Sequence, residues 1–574
     1  MDFEIKRIET DVLILGSGGA GLFAALHTAQ GNSDLSITVA VKGLLGKCGC
    51  TRMVQGGYNV ALAPGDSAER HFQDTIEGGK WLNNQELSWK LVTEAQARIR
   101  ELENELGCYF DRNPDGSVHQ KAFAGQTFDR TVHKGDLTGI EIINRLSEQV
   151  WKRGMNRLED HRAVEFIKTD DGSALAGVLM IDMRTGEFVF VRAKSVLLAT
   201  GGGPSMYRYH TPSGDKTCDG LAMSLRAGLS LRDLEMVQFH PTGLVAGAET
   251  RITGTIIEEG LRGFGGHLLD GDERRFMHKY DQREERATRD IVSRAMYTEM
   301  TEGKTGPNGG LYITMRHLDT KTVRTMFKGM VERCADCGFD LAEGIVEVVP
   351  TAHYMMGGVI FDVDCRTSLD GLFAAGEDTG GVHGANRLGG NGVANSTVFG
   401  GLAGDSMAKL TEAKGSFRDP NETEIRAAIA RCRAPLVAGD GSGDMEAVRT
   451  SLYDVMWEDA GIIRSEDGLK RAQRKLDELD ERLDQVKISD QSMAYNLSWH
   501  DWINLKNLIL VSKAITGAAL AREDSRGAHY RTDFPETRNL ETSAFTRAQL
   551  RDGEIHVDTQ AVEFTRIKPG ESLI

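Results

Sequence analysis

The chain lacks an excess of positive charge. Its 574 residues include 68 Lys and Arg against 84 Asp and Glu, which gives a formal net charge of −16. Binding to nucleic acid needs clustered cations that neutralise phosphates, so this balance argues against a nucleic-acid partner. No stretch reaches the roughly 18 consecutive apolar residues that span a bilayer, and the first residues lack the pattern of a signal peptide. These absences favour a cytoplasmic location.

Cysteine is also scarce, with eight residues spread along the chain at 48, 50, 108, 218, 334, 337, 365 and 432. In so long a chain without a signal peptide, this distribution does not indicate disulfides. No cysteine array predicts an iron–sulfur cluster, and the isolated pair Cys334 and Cys337 is interpreted as two small residues near a helix end. We expect no metal site. With 40% hydrophobic and 26% charged residues, the composition is that of a soluble protein, and the length predicts several domains.

The first motif is a glycine-rich turn between a buried strand and a helix. The apolar run TDVLIL (10–15) is followed by GSGGAG (16–21) and then by the helical pattern LFAALHTAQ. Gly16 permits a tight turn, Gly18 lets the backbone approach a pyrophosphate, and Gly21 lets the helix pack on the strand. The helix N-terminus adds free N–H groups and a partial positive charge. This context predicts a dinucleotide site.

Two later strand–glycine junctions decide between NAD and FAD. The segments AKSVLLATGGG (193–203) and SLDGLFAAGE (368–377) repeat the strand-to-glycine pattern far along the chain. Together they predict one sheet assembled from distant segments, which suits an extended FAD with Glu377 at the ribityl hydroxyls. The acidic residue that usually ends the second strand and binds the ribose is missing, because Ala40, Val41 and Lys42 stand there.

At this point the chain resembles the flavoprotein family of succinate dehydrogenase and fumarate reductase, which includes L-aspartate oxidase. The likeness covers nearly the whole length, in the order of the family. It is carried by GSGGAG (16–21), QGG (55–57), GDLTG (135–139), LLATGGG (197–203), CDGLAMSLRAG (218–228), FHPTG (239–243), EEGLRGFGG (258–266), RDIVSRA (289–295), PTAHYMMGG (350–358), GLFAAGE (371–377), VHGANRLGGN (382–391), WEDAGIIRSEDGL (457–469) and SRGAHYRTDFPE (525–536).

The resemblance implies a fold and a domain organisation. The expected fold class is an α/β Rossmann-type FAD-binding domain with an inserted α+β capping domain and a C-terminal helical domain. The expected FAD-binding domain comprises residues 1–234 and 351–420, and the capping domain residues 235–350. The helical domain follows at 421–535, and an extended tail occupies 536–574.

The resemblance also implies the site residues. His240, His353 and Arg387 correspond to the groups that clamp substrate carboxylates, and Arg is suited to this because its planar fork pairs bidentately. Arg289 corresponds to the catalytic arginine that exchanges a proton with a substrate carbon, and Glu259 and Arg262 to its proton relay. The residues expected to bind the cofactor are Gly16, Gly18, Gly19, Gly21, Lys42, Thr51, Gln55, Gly56, Gly57, Val164, Thr200, Gly201, Gly202, Asp219, Glu377 and Asn391.

Two positions depart from the family pattern. The membrane-bound enzymes carry a histidine five residues before the first residue of their QGG or EGG motif, and it bonds covalently to FAD. Counted back from Gln55, that position is Cys50 here. We therefore expect non-covalent FAD, with a lower potential that favours fumarate reduction. Glu258 stands where the family has a hydroxyl residue that donates to a substrate carboxylate. A carboxylate there repels the substrate unless it is protonated, turned away or paired with a substrate amine or hydroxyl. Thr253 or Thr255 could replace the missing hydroxyl residue.

The leading hypothesis is a flavoprotein subunit that interconverts succinate and fumarate, or a close dicarboxylate, by hydride transfer. Electrons would pass through a separate iron–sulfur subunit, with a membrane anchor that places the chain peripherally at the inner membrane. The alternatives are an L-aspartate oxidase and an enzyme of another small carboxylic acid. A flavin-binding electron-transfer or scaffold subunit without a substrate is disfavoured by the retained site residues.

Overall fold

The computed structural model describes residues 5–212, 214, 216–247, 252–436 and 443–574. The strands of these residues are β1 (Lys6–Leu15), β2 (Ile37–Ala40), β3 (Tyr58–Asn59), β4 (Gln120–Lys121), β5 (Thr131–Val132), β6 (Asn156–Leu158), β7 (His161–Lys168), β8 (Leu175–Asp182), β9 (Phe188–Leu198), β10 (Leu231–Arg232), β11 (Val237–Leu244), β12 (His267–Leu269), β13 (Leu311–Thr314), β14 (Ile345–Met355), β15 (Gly358–Val359), β16 (Leu372–Ala374), β17 (Ala544–Arg551) and β18 (Glu554–Ala561). The α-helices are α1 (Gly19–Gly31), α2 (Ala68–Gly78), α3 (Gln85–Asn104), α4 (Thr138–Lys152), α5 (Asp219–Arg226), α6 (Gly260–Gly263), α7 (Arg289–Thr301), α8 (Thr320–Met326), α9 (Lys328–Asp336), α10 (Asn391–Lys414), α11 (Glu422–Arg433), α12 (Met445–Glu458), α13 (Glu466–Asp484) and α14 (Leu497–Ala521).

The largest sheet has the order β6-β2-β1-β9-β8-β7, and β16 also pairs with β9. The strands β6, β2, β1, β9 and β16 are parallel, whereas β7 and β8 add an antiparallel arm. The second half of β1, Val12 to Leu15, is buried. Val12 and Ile14 belong to an apolar core with α1 and α10, and Leu13 and Leu15 belong to another with β7, β8 and β9. This confirms the predicted sheet from distant segments and brings the ends of β1, β9 and β16 together.

A second body of structure comes from the chain between β11 and β14. Its antiparallel sheet has the order β11-β14-β13-β12, and its own apolar core includes Leu244, Val292, Leu311 and Ile313. The helices α6 to α9 belong to this stretch. The long strands β11 and β14 run from this body towards the large sheet, so residues along them lie between the two cores. The predicted limits of the capping domain stay a prediction.

The helices after α10 form a bundle in which α14 packs against α12, α13 and α5. The region predicted to be helical, residues 421–535, contains α11, α12, α13 and α14. Of the described helices, α14 is long and apolar enough to cross a membrane, but 67% of its apolar window is buried inside the protein. Its apolar length is therefore explained by its central place in the bundle.

The C-terminal tail returns to the rest of the molecule. The hairpin of β17 and β18 extends the small sheet β15-β10-β17-β18. Beyond it, Ile567 packs with Phe72 and Ile76 of α2, and its backbone N–H and C=O both bond the side chain of Gln85. The tail thus links the bundle to the first domain.

Candidate active site

A single cavity of about 610 Å³ joins the glycine-rich turn to the inner ends of β11 and β14. At one end its wall contains the turns that follow β1, β9 and β16. At the other end it contains the imidazoles and guanidinium groups predicted to bind substrate. The predicted site residues that line it are Gly16, Gly18, Gly19, Lys42, Thr51, Gln55, Gly56, Gly57, Thr200, Gly201, Gly202, Asp219, His240, Glu258, Glu259, Arg289, His353, Glu377 and Arg387.

The three glycines of the turn have different surroundings. A Cβ on Gly16 would lie 2.2 Å from the Ala199 carbonyl oxygen, and a Cβ on Gly21 would lie 2.0 Å from that of Gly16. Gly18 is the N-cap of α1 without a side-chain cap, and a Cβ there would meet only Thr51 Oγ1, at 3.5 Å. The backbone at Gly18 is therefore open to the cavity, as the approach of a pyrophosphate requires.

A buried set of charges lies at the far side of the cavity, where the second strand ends. Lys42 Nζ donates to Asp219 Oδ2 at 2.8 Å, and Arg162 Nη2 donates to Asp219 Oδ1 at 2.7 Å. Burial raises the pKa of Asp219, but the charges of Arg162 and Lys42 outweigh it, and the pKa lies well below its ordinary value. The carboxylate of Asp219 thus lies beside Lys42, at the end of the second strand where an acidic residue was expected.

Glu377 faces the middle of the cavity. Its Oε1 accepts a hydrogen bond of 3.0 Å from the Met355 backbone N–H, and burial raises its pKa to about 7. A buried carboxyl of this kind can accept bonds from ribityl hydroxyls. Together with the open backbone at Gly18 and Gly201, it gives the cavity donors and acceptors that fit FAD.

Four predicted residues lie outside the cavity wall. Gly21 has no side chain, and its backbone packs on Gly16. Val164 lies on β7 and packs into the apolar core, while its neighbour Ala163 lines the cavity. Asn391 Oδ1 accepts hydrogen bonds from Asn59 and His71, at 2.8 and 2.9 Å. Arg262, the fourth, lies behind Glu259. The cofactor-binding roles of Gly21, Val164 and Asn391, and the proton-relay role of Arg262, stay predictions.

The substrate end is built on the paired strands β11 and β14. His240 lies on β11 and His353 on β14, and their ring centroids are 5.5 Å apart. Thr211 Oγ1 lies 2.9 Å from His353 Nδ1, and the Thr242 backbone N–H donates to His240 Nδ1. Burial lowers the pKa of both histidines well below the usual value, and the charge of Arg289 adds to this. Neutral imidazoles here can donate a hydrogen bond without a charge.

Arg289 begins helix α7 and points into the site. Its Nε and Nη2 donate to Glu259 Oε2 at 3.1 and 2.6 Å. Arg262 Nη2 donates to the other oxygen, Glu259 Oε1, at 3.2 Å. All three side chains are buried. The carboxylate of Glu259 joins the two guanidinium groups in a continuous chain.

The two guanidinium groups determine whether Glu259 is ionised. Burial raises the pKa of Glu259, but the positive charges of Arg289 and Arg262 outweigh burial and hold it below the ordinary value. Burial and the charge of Arg289 lower the pKa of Arg387 to about 10. Glu259 is therefore ionised at neutral pH and is surrounded by cations.

Gln238 is a site residue that the motifs missed. Its Oε1 accepts from Arg289 Nη1 at 2.9 Å and from Arg387 Nη2 at 3.0 Å, and its Nε2 donates to the Arg387 carbonyl oxygen. The amide thus fixes the relative position of the two arginines. Gln238 precedes His240 by two residues, and the alternation of side chains along a strand places both on one face. That alternation was the signal available in the sequence.

Glu258 is not alone in the structure. Its Oε1 accepts a hydrogen bond of 3.0 Å from Lys121 Nζ, and its side chain is 3% exposed. Thr255 lines the cavity, whereas the Thr253 hydroxyl donates to the Gly247 carbonyl oxygen. The structure thus shows an arrangement that the sequence did not predict, in which a lysine of the protein pairs with Glu258. Burial raises the pKa of Glu258 although Lys121 lowers it.

Cys50 begins the 3₁₀ turn Cys50–Met53 and lines the cavity together with Cys48 and Gly49. The turn is held by a bond from the Gly19 N–H to Thr51 Oγ1 and by the Gly139 N–H, which donates to the Val54 carbonyl. The loop that carries the position of the family's flavin-linked histidine is thus part of the cavity wall.

The chain matches known proteins over most of its length. Residues 11–393 match the FAD binding domain family, and residues 449–573 match the family described as fumarate reductase flavoprotein C-term. The chain is 41% identical to one of the subunits of the fumarate reductase (CoM/CoB) of Methanothermobacter marburgensis, over 93% of this chain and 96% of that one. It is 34% identical to the fumarate reductase flavoprotein subunit of Escherichia coli, over 99% and 96%.

A solved structure gives the same result. The FrdA chain of E. coli quinol fumarate reductase matches with a TM-score of 0.92 and 33% identity, over 99% of both chains. The comparisons confirm the predicted fold class and FAD as the cofactor. The chain is a member of the succinate dehydrogenase and fumarate reductase flavoprotein family, a family of FAD-dependent oxidoreductases.

Proposed function

We propose that this protein interconverts fumarate and succinate, or a closely related dicarboxylate, as the flavoprotein subunit of a fumarate reductase-like complex. The observation that carries this proposal is the buried chain Arg289–Glu259–Arg262, which opens into the same cavity as the dinucleotide turn. Such a chain is suited to move a proton to a carbon atom next to a hydride acceptor. The names of the relatives, which are fumarate reductase subunits, agree with it.

The cofactor would be held by the residues of the first domain. The backbone at Gly18 and the N-terminus of α1 would bind the pyrophosphate, and Glu377 the ribityl chain. Bound FAD supplies the hydride that is exchanged with the substrate. Because Cys50 replaces the histidine, we propose that FAD is bound without a covalent link.

The substrate would lie at the end of the cavity that β11, β14 and α7 form. Arg387 and the neutral imidazoles of His240 and His353 would bind one carboxylate, since a planar guanidinium pairs with it bidentately. Gln238 accepts hydrogen bonds from both Arg387 and Arg289 and so fixes their relative positions. Burial of all these groups excludes water and strengthens each electrostatic contact.

Arg289 would give its proton to the substrate carbon during fumarate reduction and take it back during oxidation. Glu259, 2.6 Å from Arg289 Nη2, would return a proton to the guanidinium, and Arg262 would pass one to Glu259. Proton exchange by a positioned group contributes about 10²–10⁴-fold to a rate.

Electrons need a route between the flavin and a partner outside the chain. The described residues contain no group of three or more His, Cys, Asp or Glu that could hold a metal ion. We therefore propose that the partner is a separate iron–sulfur subunit, and that the protein has a peripheral, cytoplasmic place at the inner membrane through further subunits. A relative is a quinol fumarate reductase, which agrees with this proposal.

The experiment is reduction of the purified holoprotein without oxygen. Succinate and L-aspartate are added separately, and loss of the visible flavin absorbance is followed, with fumarate added afterwards. Bleaching by succinate that fumarate reverses is expected. Bleaching by L-aspartate alone would make the protein an L-aspartate oxidase, an interpretation that the carboxylate of Glu258 in the cavity wall keeps open. Bleaching by neither would overturn the dicarboxylate assignment.

A further inference from the structure

The ion pair of Lys121 and Glu258 connects two parts of the chain at the cavity. Lys121 ends strand β4, which pairs with β5. Glu258 immediately precedes Glu259, which joins Arg289 and Arg262. Lys121 Nζ donates to Glu258 Oε1 at 3.0 Å and to the Gly135 carbonyl oxygen at 3.0 Å. Both bonds hold the ammonium in one place behind the carboxylate.

The lysine is held at the cavity by its neighbours on the chain. Phe123, two residues further on, lines the cavity, and a Cβ on Gly56 would lie 2.5 Å from Phe123 Cζ. The segment that follows β4 therefore lies directly on the glycine pair after Gln55. Lys121 is 22% exposed at its side chain, whereas Glu258 is 3% exposed. The carboxylate faces the cavity and its counter-charge lies behind it.

Several negative charges lie near Glu258. Asp136 and Glu259 are further carboxylates beside it, and burial together with their charges raises the pKa of Glu258 against the effect of Lys121. An uncompensated carboxylate in this wall would repel a dicarboxylate, since charges interact strongly in a poorly hydrated site.

We propose that Lys121 is a specificity-determining residue, whose charge neutralises Glu258 so that a dicarboxylate can bind beside it. The inference rests on the proposed function, because it takes the ligand of the cavity to be a dianion. Lys121 acts through Glu258 and not on the reacting atoms, so it affects binding rather than the chemical step.

The charge argument predicts opposite effects for the two partners. Lys121→Met leaves a bare carboxylate and should weaken binding of malonate, an unreactive dicarboxylate, at least about tenfold. Glu258→Gln leaves an unpaired cation and should keep or tighten that binding. The double variant, which has neither charge, should bind malonate within about threefold of the unchanged protein.

The measurement is titration of FAD-loaded protein with malonate, followed by the change in flavin absorbance, together with KM and kcat for fumarate. For Lys121→Met, KM should rise with kcat nearly unchanged. Lys134→Met is the matched control, since Lys134 lies just after β5 and pairs with Asp111 at 3.1 Å; it should bind malonate normally. Thermal unfolding of each variant shows whether it is folded.

Two results would overturn the proposal. If the pair only fastens the two parts of the chain together, both single variants bind malonate more weakly and the double variant is not rescued. If Lys121→Met binds malonate as the unchanged protein does, its charge is not needed. A failure of the proposed function is separate: the unchanged protein would then neither be bleached by succinate nor reduce fumarate, whatever the malonate titrations give.

Discussion

Arg289 Nη2 lies 2.6 Å from Glu259 Oε2, and both side chains are buried at the cavity wall. The two residues are 30 positions apart: Arg289 is the first residue of α7, and Glu259 immediately precedes α6. The cation lies at the positive end of a helix dipole, which is an unfavourable place for it. The carboxylate of Glu259 offsets this and fixes the direction of the guanidinium.

Replacement of Arg289 tests the proton step. Arg289→Ala should lower kcat for fumarate reduction by at least about 10²-fold, since it removes the proton donor, while FAD stays bound. Steady-state rates and the ratio of flavin to protein absorbance measure the two effects. Arg294→Ala, on the same helix but against the Tyr530 ring, is the control and should keep its activity. Full turnover in Arg289→Ala would contradict the role of Arg289 as the proton donor.

The glycines of the turn should respond differently to an added methyl group. Gly18→Ala has room in the protein itself, so it should fold normally and yet lose FAD, because the methyl group occupies the approach of the pyrophosphate. Gly21→Ala places its Cβ 2.0 Å from the Gly16 oxygen and should lose both FAD and thermal stability. Flavin content and the unfolding temperature of the apoprotein separate the two cases. Equal FAD content in Gly18→Ala and the unchanged protein would contradict the assignment.

The link between protein and flavin is tested by acid. Because Cys50 replaces the family's histidine, precipitation with trichloroacetic acid should leave all FAD in the supernatant. Cys50→Ser should give the same result, with unchanged flavin content. Flavin fluorescence on the denatured polypeptide, lost in Cys50→Ser, would show a bond to the thiol.

A buried histidine away from the site predicts a pH dependence of stability. His27 lies between Asp405 and Glu101, at 2.9 and 3.0 Å. Burial lowers its pKa, but the bonds to Asp405 and Glu101 outweigh burial, and the pKa is raised above 6.5. The protonated form is therefore favoured in the folded state. Its contribution to the free energy of unfolding is complete below about pH 6.5, the unfolded pKa, and is lost as the pH rises through the folded pKa.

The measurement is urea unfolding of the unchanged protein and of His27→Gln at several pH values. The stability difference between them should be larger at pH 6 than at pH 9. A difference that is independent of pH would mean that His27 contributes by packing alone.

The sequence by itself determined the cofactor end of the site. Gly16, Gly18 and Gly21 are local requirements of one turn, and the apolar runs around them are local requirements of a buried strand and helix. The order of the motifs similarly identified the family, and it predicted roles for Arg289, Glu259 and His240, because each lies within a short recognisable stretch.

Only the tertiary structure decided which side chains meet. Gln238 lies on β11 and joins Arg289 and Arg387, which are 98 residues apart in the chain, and no local pattern carries that geometry. Lys121 stands in an unremarkable polar stretch, so the sequence left Glu258 as an uncompensated carboxylate. The physical reason is that hydrogen bonds and ion pairs depend on distances of a few ångströms, and these are set by how separate elements pack.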